Sequence, residues 1–319
     1  MNTDPHAKLT LPVRCGLAGR FRLQVRKASG AVRYDTGWFD NLITNQGLNQ
    51  MGTGGYLTAC QVGSGSTSPA FTDTALGSYV AGTSTIQSSA GSASSTTPYV
   101  IKRTNTYRFG EGAAAGNLSE VGVGTTTTTG NLFSRALITD SNGDPTTITV
   151  LANEFLDVTY QLQMIPPTGD TSVDVTDSGP AGTVHTFTIR AADVTTFASN
   201  SFSGWFISPF GSSLTSGVND NAVDVYDGAI GAITESPSGT RGGATSASSP
   251  AYVDGSLEVD LGADFDTTAA NFDISAVRFN FARSSGGSWQ AGISPVIPKT
   301  NVDSLSLGFQ LSWTRTTAL

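Results

Sequence analysis

Carboxylates set close together are the first groups in this sequence that could make or break a bond. Asp264 with Asp266, Glu154 with Asp157, and Asp254 with Glu258 and Asp260 each cluster within a few residues. Two carboxylates flanking a sugar linkage hydrolyse it, one as acid and the other as base or nucleophile. Enzymes of that kind need a groove lined by aromatic rings. The four tryptophans, Trp38, Trp205, Trp289 and Trp313, are instead scattered along the chain, and Trp313 falls on the apolar face of an alternating strand. The paired acids therefore read as solvated loop residues.

A second candidate is Asp140-Ser141-Asn142-Gly143-Asp144, where Asp140, Asn142 and Asp144 could wrap a hard cation. The bidentate glutamate that would close such a loop is missing, since position 151 is Leu151. Asn-Gly is also the strongest short hairpin signal, so a turn is the expectation and a metal site the minor alternative. His6 and His185 are the only histidines, and each stands alone. Cys15 and Cys60 show neither CxxC nor metal-ligand spacing. No nucleophile elbow, Walker loop or HExxH helix occurs. Gly52-Thr53-Gly54 and Gly63-Ser64-Gly65 read as turn glycines, without the helix that a phosphate cradle needs. No cofactor is expected and no catalytic residue is assigned.

Composition bounds the classes that remain. Charged residues are 13% of the 319, well below the usual quarter, and Gly, Ser and Thr abound. Only Lys8, Lys27, Lys102 and Lys299 are lysines. Lysine commonly guards the sheet edges of free monomers, so its scarcity favours neighbours in an assembly. The net charge of −8 is uneven. Seven basic residues up to Arg33 face Asp4 alone, which leaves an acidic body that argues against nucleic-acid binding. Arg14, Arg20, Arg22 and Arg26 in that basic arm could dock on an acidic partner or a neighbouring copy; the plainer reading makes them the solvated face of a strand. No apolar run approaches the roughly 18 residues of a membrane span. Met1 to His6 lacks the apolar core of a secretory signal, so cytoplasmic production is expected.

The elements that would position these groups are strands. Leu9 to Val13 and Phe21 to Val25 alternate, with Phe21, Leu23 and Val25 inward and Arg20, Arg22, Gln24 and Arg26 outward. Ala28-Ser29-Gly30 is a turn, and Val32 to Trp38 the returning strand. Residues 77–98, rich in Ser, Ala, Gly and Thr, read as a long surface loop. Leu132 to Ile138 and Ile148 to Leu151 read as a hairpin around the Asn142-Gly143 turn. Leu156, Val158, Tyr160, Leu162 and Met164 share one face of a strand, as do Leu305, Leu307, Phe309, Leu311 and Trp313 near the end. Trp205 to Phe210 reads as a buried strand. Pro98-Tyr99-Val100 and Ala114 to Leu118 are echoed by Pro250 to Val253 and Ala269 to Phe272, which suggests two related β-units. The fold expected is all-β: two β-sandwich or jelly-roll-like domains, 1–167 and 168–319, with long Gly/Ser/Thr-rich loops.

One stretch is more particular. Asn41-Leu42-Ile43-Thr44-Asn45-Gln46-Gly47-Leu48 is followed by Val62-Gly63-Ser64-Gly65-Ser66-Thr67-Ser68-Pro69 and then by Asp73-Thr74-Ala75-Leu76. An apolar run ends at Asn45, Leu48 and Met51 follow at helical spacing, and a strand returns to a Gly-Ser-Gly turn. This pattern resembles one common in virion structural proteins of tailed bacteriophages, and the likeness covers roughly the first half of the chain. The resemblance implies a virion part built for assembly, without identifying which part, and brings no catalytic residues. Within that reading the expectation is a non-enzymatic tail, neck or fibre-attachment component working by homo-oligomeric association with other virion proteins. Its attachment surface would be the basic hairpin with Asn41, Leu42 and Ile43. Neither membrane nor nucleic acid is an expected partner. A head decoration protein is one alternative. A receptor-binding tip is another, holding a host surface glycan on exposed tryptophans such as Trp38, Trp205 and Trp289.

Overall fold

The computed structural model describes residues 10–53, 57–178, 182–195, 223–248, 250–280 and 288–319. The chain is all-β, with 54% of residues in strand and 3% in helix. It divides into two compact units.

The first unit comprises Gly16–Ser92, Lys102–Ile165 and Thr314–Leu319. Its strands come from β1 (Thr10–Lys27), β2 (Val32–Asp35), β3 (Phe39–Asp40), β4 (Leu42–Ile43), β5 (Ala59–Gly63), β6 (Tyr79–Thr83) and β7 (Ile86–Ala93). They continue with β8 (Ile101–Phe109), β9 (Gly116–Leu118), β10 (Glu120–Gly124), β11 (Leu132–Leu137), β12 (Ile148–Val150) and β13 (Glu154–Ile165). The helix α1 (Asn45–Thr53) lies between β4 and β5.

In this unit β1, β13, β8 and β7 are successive neighbours in one sheet, with β2 and β3 also on β1. A second sheet runs β4-β11-β10-β5-β6. The two meet through aromatic rings: Tyr160 of β13 lies 4.8 Å from Phe21 and 6.4 Å from Phe133 of β11, centroid to centroid. Each such ring, taken fully out of water, contributes about 1.5–3 kcal/mol.

Strand β1 is continuous over 18 residues, where the sequence suggested two shorter pieces. Leu11, Val13, Cys15, Leu17, Phe21, Leu23 and Val25 keep one phase and are all buried. Gly19 holds that phase without an apolar side chain, because a Cβ there would overlap the Tyr160 hydroxyl. Two further expectations are corrected. Residues 77–98 are no plain loop, since β6 and β7 lie within them. Strand β12 pairs with β9 instead of returning along β11. Both edges of β11 are already taken by β10 and β4, so the Asp140 turn closes on itself, with Asp140 N–H to Asp144 O (2.9 Å), Gly143 N–H to Asp140 O (3.0 Å), Thr146 N–H to Ile138 O (2.8 Å) and a Thr139–Pro145 bridge.

The second unit comprises Met1–Cys15, Ala93–Ile101 and Pro166–Trp313. Its strands are β14 (Thr171–Thr176), β15 (Val184–Ala192), β16 (Val223–Tyr226), β17 (Arg241–Gly243), β18 (Ser246–Ser248), β19 (Glu258–Phe265), β20 (Asp273–Asn280), β21 (Ser288–Pro298) and β22 (Leu305–Arg315). One sheet runs β14-β15-β21-β20-β16-β17, and β18-β19-β22 form the facing layer. Phe279 of β20 stacks on Phe309 of β22 at 4.1 Å, which places the core between the layers. The alternation read for β22 holds, since Leu307, Phe309, Leu311 and Trp313 are buried; β15 alternates likewise, with His185, Phe187 and Ile189 buried. The proposed internal echo fails locally. Gly116–Leu118 is a strand, whereas residues 267–272 form a turn. The run Trp205 to Phe210 lies outside the described residues.

Candidate functional site

The three motif segments converge in the first unit, around an ion pair buried between them. Glu120 opens β10 opposite Gly63 of β5, and Arg135 lies on β11. Glu120 is fully buried, and its carboxylate accepts backbone N–H groups of Gly65 (2.9 Å), Gly77 (3.0 Å) and Ser78 (2.7 Å). Arg135 donates to the same carboxylate at 2.8–2.9 Å, to Asp73 at 2.6 Å and to the Thr67 carbonyl at 2.9 Å. One carboxylate and one guanidinium thus tie down the loop from Gly65 to Ser78.

This geometry explains the glycines of Gly63-Ser64-Gly65. A Cβ at either glycine would overlap the Glu120 carboxylate. Burial works against the Glu120 charge, but the N–H groups of Ser78 and Gly77 and the Arg135 guanidinium outweigh it and hold the carboxyl below its ordinary value.

The Asn41 to Leu48 segment is secured in the same way. Thr44 caps α1: its Oγ1 accepts the Gly47 N–H at 2.9 Å, satisfying one open donor of the first turn. The same hydroxyl donates to Leu132 O at 2.7 Å, and Thr44 N–H donates to Phe133 O at 3.0 Å. Gly47 brings the helix so close to β11 that a Cβ would overlap the Phe133 carbonyl. Leu48 and Met51 face the core, as their spacing suggested. At the loop tip Phe71 is 53% exposed, yet the Arg315 guanidinium covers its ring at 4.3 Å and its carbonyl accepts the Asn45 N–H at 2.7 Å.

The residues assigned to attachment are largely spent on contacts within the chain. Asn41 donates to the Ser134 hydroxyl and, at 3.1 Å, to Tyr160 Oη. Leu42 pairs with Arg135 across β4 and β11, and Ile43 is buried. Arg20 donates to Gln161 Oε1 at 3.0 Å and lies 4.7 Å from the Trp38 ring. Arg22 pairs with Asp35 at 2.9 Å, and Arg26 with Asp157 at 2.6 Å. Arg14 is exposed on β1.

Several of the carboxylate candidates are engaged as well. Asp157 is shared between Arg26 and Arg108, and Glu154 pairs with Arg33. Asp264 accepts the hydroxyls of Ser246 (2.9 Å) and Ser306 (2.7 Å). Asp140 Oδ1 accepts the N–H groups of Asn142 (2.8 Å) and Asp144 (3.1 Å), so it braces the turn. Among the described residues no group of three or more His, Cys, Asp or Glu could hold a metal. Trp289 is 2% exposed and stacks on Phe279, which removes it from any glycan shelf; Trp38 is 39% exposed and Trp205 is outside the described residues. No described helix is long and apolar enough to cross a membrane.

What remains open is a ribbon whose sequence reads as a loop. From Thr74 to Ile101 there is no charged residue and no histidine. It carries β6, the end strand of one sheet of the first unit, and β7, the end strand of the other. Strand β7 is exposed along almost its whole length, on both faces. Absence of charge over so long a stretch was its signal in the sequence. Comparison with family models, with curated proteins and with solved structures gives no match for this chain.

Proposed function

We propose that the protein is a non-enzymatic structural component of a tailed-bacteriophage virion, a tail, neck or fibre-attachment part that works by association. The observation that carries this reading is the uncharged ribbon with its exposed β7. Soluble monomers guard such edges with lysine, proline or bulges, and a bare edge is ready to pair with another chain. Two further features support it. The segments whose sequence pattern resembles that of virion proteins build an ion-paired module, which would give neighbouring subunits an unyielding surface. Among the carboxylate candidates, Glu154 and Asp157 are held by arginines, Asp264 by two serine hydroxyls and Asp140 by backbone N–H groups. Association would be multivalent, with symmetry multiplying contacts that are weak singly.

Particle-level imaging with a label on this chain tests the reading. The expected result is label at a fixed position on the tail, neck or fibre base. Purified particles that lack the chain would overturn it.

A further inference from the structure

We infer that β7 is a self-association edge: it pairs antiparallel with β7 of a second copy across a two-fold axis. The inference rests on the assembly reading above and names the partner.

Comparison of the end strands singles β7 out. Strand β14 spans six residues but carries Asp174, with Asp170 and Asp177 at its ends. Strand β17 has three residues and carries Arg241, and β18 has only three. Strand β6 has five residues and is covered in part, since Tyr79 donates to Thr127 O at 2.7 Å and a Cβ on Gly82 would overlap that same carbonyl. Strand β7 has eight residues, Ile-Gln-Ser-Ser-Ala-Gly-Ser-Ala, with no charge and no proline. Its one neighbour among the described residues is β8. Eight residues give an edge of about 26 Å, along which every second residue turns its N–H and C=O outward.

Charge selects a second copy over an unlike partner. The chain carries −8, so most contacts between copies bring like charges together. The neutral ribbon is where two copies meet without that penalty, and it offers no charge by which an unlike partner would be chosen. Geometry then sets the direction. Since β8 occupies one side of β7, like edges meet only through a two-fold axis, which makes the pairing antiparallel and closed. Serine, alanine and glycine side chains let the backbones approach. One strand edge buries less than the roughly 800 Å² per partner of a standard interface, so the pairing is weak and becomes durable only in an array.

The test is sedimentation velocity of the full chain from about 1 to 300 μM, a range that brackets weak association. Three proteins are compared: the native chain, the double variant Ser88→Lys/Ala90→Lys, and the control Asn142→Lys in an exposed turn. Native protein and control are expected to form dimers with rising concentration, and the double variant to weaken association at least tenfold. A native chain that stays monomeric across the range overturns the inference. A double variant that dimerises like the native chain overturns the choice of β7 and leaves the assembly reading standing, whereas particles lacking the chain would remove that reading instead. Should the double variant fail to fold, hydrogen exchange on the native chain decides. Amides of Ile86–Ala93 must gain protection as concentration rises, and concentration-independent exchange there overturns the inference.

Discussion

Replacing Glu120 by glutamine removes one charge from a site closed to solvent while leaving the shape of the side chain nearly unchanged. The native carboxylate accepts three backbone N–H groups and the Arg135 guanidinium. The amide keeps one accepting oxygen and aims an NH2 group at partners that are themselves donors. Arg135, only 3% exposed, then has Asp73 as its sole carboxylate. Breaking a buried pair from one side costs about 3–5 kcal/mol. At about 2–4 °C per kcal/mol, the melting temperature should fall by about 6–20 °C. Differential scanning calorimetry measures this, with Glu111→Gln on the exposed surface as a control expected to stay within about 0.5 kcal/mol. Acid gives a second reading with a definite sign. The folded-state pKa of Glu120 lies below its ordinary value, so its stabilisation is complete above the unfolded value of about 4.3 and is lost as pH falls through the folded one. The native chain should lose stability on acidification, and the gap between it and Glu120→Gln should narrow. A gap under about 1 kcal/mol at neutral pH, or one equally wide at pH ~3, would refute the reasoning.

Three other outcomes follow from packing and burial. Gly47→Ala puts a methyl group into the Phe133 carbonyl and should cost at least about 2 kcal/mol in urea unfolding, against the small gain that alanine brings to an unobstructed helix. Thr44→Val removes the α1 cap and a buried bond to Leu132 O, so a loss of about 1–2 kcal/mol is expected in the same assay. Burial pushes the Cys15 thiol up to about 12 and the Cys60 thiol up as well. Neither should react with a disulfide reagent at pH ~8 until denaturant is added, and a rapid native reaction would contradict their burial.

Legibility in the sequence followed the strength of local pattern. Strands β13 and β22 were readable because apolar and polar residues alternate along them and one face of each is buried. The helix after Thr44 was readable from Leu48 and Met51. Strand β1 was half legible, because Gly19 yields its place to the Tyr160 hydroxyl, a contact 141 residues away that no local pattern records. Strands β6 and β7 were hidden because their composition is that of a loop; neighbouring strands hold them, and propensity does not. The Glu120–Arg135 pair was invisible for a related reason. Both residues look like ordinary strand polar positions until pairing brings Gly63, Gly65 and Ser78 onto the carboxylate. The turn at Asp140 was correctly read, but its flanking strands found other partners.

In the second unit the side chain of Lys299 is 3% exposed, and its Nζ donates to Asp266 O (2.6 Å), Ala269 O (2.7 Å) and Asn271 Oδ1 (3.0 Å). Three oxygens from one short turn converge on a single positive centre, the kind of role a bound hard cation could otherwise fill. Here the cation hangs on four methylenes of the same chain. It cannot be diluted away, exchanged for another ion or stripped by a chelator, so the turn keeps its shape whether the surroundings are rich in divalent ions or bare of them.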